Sequence, residues 1–123
     1  VGEVEEGGQG GALWVEGASL LELGCGLGIV GLACACAGAS RVVLTDYDQE
    51  LLRACGRSID LNGLGDVVST AHLDWTAVAA LPLTDSLGEL GEDLGEDLGK
   101  DPFDLILGAD IIYDADHAPS VLG

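Results

Sequence analysis

The sequence has no methionine, one phenylalanine and three prolines, and only four Lys and Arg stand against 22 Asp and Glu. The net charge is therefore 4 − 22 = −18. So few cations exclude a reader of the nucleic-acid backbone, which grips phosphates through Lys and Arg and gains affinity from counterion release. The same deficit disfavours anionic membrane surfaces, which recruit basic segments. The missing methionine, with Val1 in first place, leads us to expect a piece of a longer protein. The four cysteines, Cys25, Cys34, Cys36 and Cys55, make no C-x-x-C pair, and no His pair stands at zinc spacing. No metal site is expected. Small thiols of a reducing compartment are the reading they invite, and with it a cytoplasmic location, the nucleus being the alternative.

Apolar residues are present in quantity. They make up 48% of the chain, a globular figure that excludes disorder throughout. The length suits one domain. Twenty glycines in 123 residues are more than twice an ordinary share, which is about 7%. Residues 18–40 are long and apolar enough to raise the question of a membrane span. Five glycines, Glu22 and the lack of a basic flank break that stretch into strand, loop and helix instead.

Along the chain, residues 1–18 read as a flexible acidic and glycine-rich segment, with a helix end at residues 12–16 and Trp14 as a packing residue. Ser19–Leu23 is a short apolar run bounded by glycines, hence a buried strand. Residues 29–37 read as a helix stopped by Gly38. Residues 41–45 (RVVLT) are a second strand. Asp48 caps a second helix reaching Asn62, with Leu51, Leu52, Cys55 and Ile59 on one face. Residues 67–73 and 103–107 (FDLIL) are the third and fourth strands, the last reading as buried on both faces. Between them, residues 84–101 repeat GEDL and space Gly and Leu mostly every four residues, an acidic low-complexity insertion. Strands alternating with helices predict a parallel α/β sheet with right-handed crossovers. Ligands of such sheets bind beyond the carboxyl ends of the strands, here residues 24–28, 46–48, 74–75 and 108–113.

Those ends carry the chemistry. Glu22-Leu23-Gly24-Cys25-Gly26-Leu27-Gly28 follows the first strand as E-x-G-x-G-x-G, a turn along which a ligand can lie on bare backbone. A dinucleotide fingerprint would be G-x-G-x-x-G/A, but Ile29 holds the sixth place. Glu22 repels phosphates and attracts an amine, so a nicotinamide oxidoreductase is disfavoured. Asp46 ends the second strand, where a carboxylate can accept the two hydroxyls of a ribose. Cys25 lies beside acid and glycine, which does not suit a nucleophilic thiolate. His72 and His117 read as structural or solvent-facing.

ELGCGLG followed by LTDYD resembles the cofactor site of class I S-adenosylmethionine-dependent methyltransferases. LDW after the third strand and FDLILGADIIYD at the fourth resemble the seven-strand protein-lysine methyltransferases of the family-16 group. The resemblance implies a Rossmann-like three-layer α/β/α fold, strand order 3-2-1-4-5-7-6, of which residues 19–123 would be a part truncated after the fourth strand. It implies S-adenosylmethionine as cofactor, with Gly24, Cys25 and Gly26 along its methionine and ribose part and Glu22 toward its amino group. Asp46 would hold the ribose, Tyr47 and Trp75 would lie by the adenine, and Asp74 would accept from its exocyclic amine. Ala109 would bring backbone to the sulfonium. Asp110 and Tyr113 would orient the methyl acceptor, a protein lysine. A small-molecule N-methyltransferase and a non-catalytic methyltransferase-like fragment are the alternatives. Base methylation is disfavoured because isoleucines occupy the two middle places of Asp110–Tyr113.

Overall fold

The computed structural model describes residues 14–76 and 102–111. The expectations for the N-terminal tail, the acidic insertion, Tyr113 and His117 fall outside the described residues. The elements are β1 (Ser19–Leu23), α1 (Ile29–Cys36), β2 (Arg41–Asp46), α2 (Gln49–Leu61), β3 (Val68–His72) and β4 (Leu105–Gly108). The strands form one parallel sheet in the order β3-β2-β1-β4. Leu21 of β1 pairs with Val43 of β2 and Ile106 of β4, which fixes the register at the centre.

β2 is the core strand. Val42, Val43, Leu44 and Thr45 are fully buried, as an apolar β-branched run with neighbours on both edges must be. β4 departs from the same expectation. It is paired along one edge among the described residues, its burial alternates, and Ile106 is 64% exposed. Two further expectations change at the amino-terminal side. Residues 14–17 form a turn, closed by the Ala18 N–H on the Val15 carbonyl, where a helix end was expected. Trp14 is 63% exposed and does not pack into the core.

Both described helices lie on one face. Chain direction requires this: two right-handed crossovers stepping the same way, β1 to β2 and β2 to β3, return over the same side. There Leu20, Val42 and Leu44 meet Ala35 of α1 and Leu52, Cys55 and Ile59 of α2. The other face carries Leu21, Val43, Ala71 and Leu73, with Phe103 against them. Arg41 lies 4.6 Å above the Phe103 ring, a cation–π contact at the base of the sheet. Residues 18–40, apolar enough to raise the question of a span, are β1, a glycine loop and α1. Among the described residues no helix is long and apolar enough to cross a membrane.

The helices start differently. Asp48 caps α2 as expected, accepting the Glu50 N–H at 2.8 Å. α1 has no cap of its own, because Gly28 precedes it in the left-handed region at φ 78°. Its cap comes from the sheet: the Gly31 N–H donates to Glu22 Oε2 at 2.9 Å. Gly31 makes this possible. A Cβ there would collide with Leu44 Cδ2 and come within 2.7 Å of Glu22 Oε2. The glycine that reads as a mild helix breaker is what lets α1 press onto β2.

An exposed helical glycine gains about 1 kcal/mol on replacement by alanine. Gly31→Ala reverses that sign. It is expected to lose about 1–3 kcal/mol through overpacking, measured by urea unfolding, and a gain would refute the close approach.

Candidate functional site

The carboxyl ends of all four strands converge on residues 24–28. β1 runs into the loop, and its ladder with β2 continues through the Cys25 N–H, which donates to the Thr45 carbonyl at 2.8 Å. The fully buried Thr45 hydroxyl donates to the Glu22 carbonyl at 2.7 Å. The Gly28 N–H closes the turn on the Cys25 carbonyl at 2.8 Å.

The three glycines of the loop do different work, although all have positive φ. A Cβ at Gly24 would come within 2.8 Å of Ile111 Cγ2 and 3.0 Å of Trp75 Cη2. A Cβ at Gly28 would come within 2.8 Å of Leu44 Cδ1. These two are glycines because neighbours press on them. Gly26 alone faces open space, with nothing within 4 Å of its Cβ position. Of the three, it is the one whose surface a ligand can use.

Asp46 sits beside that surface, 4% exposed. Its Oδ2 accepts the Gly26 N–H at 3.0 Å and its Oδ1 accepts the Asp48 N–H at 2.9 Å. A carboxylate oxygen has two acceptor sites, so each oxygen keeps one in reserve. The adjoining loop is held from β3: the Leu73 N–H donates to the Asp46 carbonyl at 3.0 Å, and His72 Nε2 lies 3.0 Å from the Tyr47 carbonyl.

The structure brings Gly24, Cys25, Gly26, Asp46 and Trp75 together. Trp75 lays its six-membered ring against Gly24, and its buried Nε1 has no partner among the described residues. Asp74 turns Oδ1 to Thr76, accepting from that residue's N–H at 3.0 Å and its hydroxyl at 2.5 Å. Tyr47 is exposed, and its carbonyl, rather than its ring, is what the structure engages. Ala109 and Asp110 stand exposed at the end of β4, Asp110 in the left-handed region at φ 56°. Ile111 links them to the loop through its contacts with Gly24 and Gly108.

Sequence reasoning missed three residues of this assembly. Cys55 reads as an apolar face residue of α2, yet its thiol donates to the Gly26 carbonyl at 3.1 Å. Both polar groups of the Gly26 residue are thus held by side chains, N–H by Asp46 and C=O by Cys55. Thr45 is a β-branched strand residue by composition, and His72 an isolated imidazole. No pattern in the sequence marks any of them.

Glu22 lies beneath the loop rather than on it. Burial raises its carboxyl above the ordinary 4.5, and the Gly31 N–H opposes that rise. The folded carboxyl therefore holds its proton more tightly than the unfolded one. Its contribution to stability is complete below the ordinary pKa and is lost as pH rises through the raised value. Glutamine keeps an acceptor for Gly31 and never ionises. Glu22→Gln is expected to gain in Tm relative to wild type as pH rises from the carboxylate range to neutrality. A difference that moves the other way would show that the ionised carboxylate is the favoured form.

The comparisons agree with this architecture. A family model for lysine methyltransferases matches residues 6–122. The protein-lysine N-methyltransferase EFM3 of Chaetomium thermophilum is 30% identical over 106 residues, 84% of this chain and 29% of that protein. The ribosomal protein L11 methyltransferase of Parasynechococcus marenigrum is 41% identical over 66 residues, 46% of this chain and 23% of that one. Among solved structures, the magnesium protoporphyrin IX methyltransferase of Synechocystis, with bound SAH, superposes with a TM-score of 0.59 at 18% identity. That likeness covers 89% of this chain and 41% of the other, and it is one of fold. The chain spans less than a third of the length of the curated relatives it matches, from 17% to 29%. With a family match across nearly its whole length and the glycine loop, Asp46 and Trp75 assembled at the strand ends, the chain belongs to the lysine methyltransferase family.

Proposed function

We propose that this chain holds S-adenosylmethionine for methyl transfer to a lysine side chain of a protein substrate. The observation that carries the reading is the contrast among the loop glycines: Gly26 offers bare backbone to open space, with Asp46 directly beside it. The residues present fit such a cofactor. The reserve acceptor sites of Asp46 suit the two hydroxyls of a ribose. Trp75 Nε1, without a partner among the described residues, suits an acceptor on a base, with the indole body against its ring. Asp74, just past the end of the third strand, would receive an exocyclic amine. Tyr47 borders the same region, and Cys25 floors it. Glu22, buried beneath the loop with Oε2 on the Gly31 N–H, supports that surface from below rather than touching the donor.

When bound, the donor supplies a methyl group made electrophilic by its sulfonium. The chain's own residues bind and align. Asp46 adds negative charge near a cation, and the exposed backbone at Ala109 approaches the reacting centre. In-line transfer depends mostly on alignment, which a loop fixed from both sides provides. The acceptor amine must reach the site without its proton. Asp110 and Tyr113 orient it by accepting its N–H groups. The net charge of −18 favours approach of basic, lysine-bearing proteins and opposes nucleic acid.

Titration calorimetry with S-adenosylmethionine tests the donor half. Saturable binding is expected, weakened about tenfold or more by Asp46→Ala, since a charge-assisted hydrogen bond contributes about 1.5–3 kcal/mol. Undiminished affinity in that variant would reject the reading. Transfer of labelled methyl groups to lysines of an acceptor protein, mapped by peptide, tests the acceptor. Label confined to small molecules would replace it by the small-molecule alternative.

A further inference from the structure

Two thiols, one of them from the floor of the donor site, meet under the glycine loop. Cys25 Sγ and Cys55 Sγ are 3.9 Å apart, 8% and 0% exposed by residue, one on the loop and one on α2. Both address the Gly26 carbonyl, Cys55 at 3.1 Å and Cys25 at 3.6 Å. A disulfide brings its sulfurs to about 2.05 Å, so closure needs a shift of roughly 2 Å. The loop has that give. Cys25 lies between Gly24 and Gly26, both in the left-handed region, and the Gly26 side is open.

We propose that Cys25 and Cys55 form a reversible modification site, which a low-molecular-weight disulfide closes into an intrachain disulfide that weakens donor binding. The bond itself stands on the geometry of the two sulfurs, and its consequence rests on the donor reading above. The Cys25 thiolate attacks one sulfur of the oxidant and expels the other as a thiolate. Cys55 then attacks the Cys25 sulfur of the mixed disulfide and expels the second. Two cysteines are oxidised, one disulfide is reduced to two thiols, and the two cysteine protons end on those thiols. The oxidant never has to reach Cys55, which suits its complete burial. The product has no S–H to donate to Gly26, so the carbonyl loses its partner and the loop is drawn toward α2. Burial, together with the Glu22 and Asp46 carboxylates facing the pair from β1 and β2, pushes both thiols up. Thiolate is therefore scarce at neutral pH, and the pair answers a sustained oxidative load rather than a brief one. Donor and disulfide oppose each other by linkage: a donor lying on the loop shifts the equilibrium away from the closed disulfide.

The test incubates the full chain with oxidised glutathione, digests it without reduction and maps the peptides. A Cys25–Cys55 linked pair is expected, reversed by dithiothreitol and formed equally in Cys36→Ser. Adducts on Cys36 alone, or links confined to other pairs, overturn the site. Calorimetry with S-adenosylmethionine then compares the reduced and oxidised forms, with affinity about tenfold lower expected after oxidation. Equal affinities overturn the coupling. A reduced chain that binds no donor overturns the coupling and the donor reading together, while the peptide map decides the disulfide independently.

Discussion

The Asp46 carboxylate is the interaction on which the strand ends depend. It spans two loops that the sequence separates by one strand and one helix, taking an N–H from Gly26 on one oxygen and from Asp48 on the other. A backbone bend with three glycines has many conformations available, and its entropy opposes any single one. The bridge selects the one in which Gly26 faces outward. Cys55 repeats the selection from beneath through the carbonyl of the same residue. The loop is therefore preorganised by its own chain, and a ligand meets a surface already in place.

Much of this was legible in the residues. Apolar runs bounded by glycine mark β1 and β2, Asp48 marks the start of α2, and the spacing from Gly24 to Asp46 places two loops side by side before any coordinates are seen. The illegible parts share a cause. Cys55 and Thr45 act through contacts made by packing, and no local periodicity encodes which buried residue lies under which loop. Gly31 looks like a helix breaker because propensity counts only the helix, whereas the reason for glycine there is Leu44 on β2. Trp14 reads as core by its size, yet its surroundings leave it exposed. β4 reads as buried on both faces by composition, but burial is set by how many neighbours a strand has. Tyr113 is the one site expectation that the described residues leave out.

Family membership and the site geometry account for different things. The match to the lysine methyltransferase model spans residues 6–122 and identifies the lineage. The geometry explains why the loop residues are of those types: two glycines pressed by neighbours, one facing open space, and one carboxylate for two loops. The two lines meet at Gly24, where Trp75 from beyond β3 and Ile111 from beyond β4 close on the same position. That is the crevice where the strand order reverses, with β2 on one side of β1 and β4 on the other, and an open α/β sheet takes its ligand there.

Gly31, Leu44 and Glu22 make up a lock with evolutionary consequences. A larger residue at 31 requires both Leu44 and Glu22 to shift, because a single added carbon meets both side chains at once. Sites in such contact are not independent, and their changes interact strongly. A change at one of these three positions is then expected to call for a change at another. Covariation among descendants of this chain is expected to concentrate there, away from the ligand-facing surface.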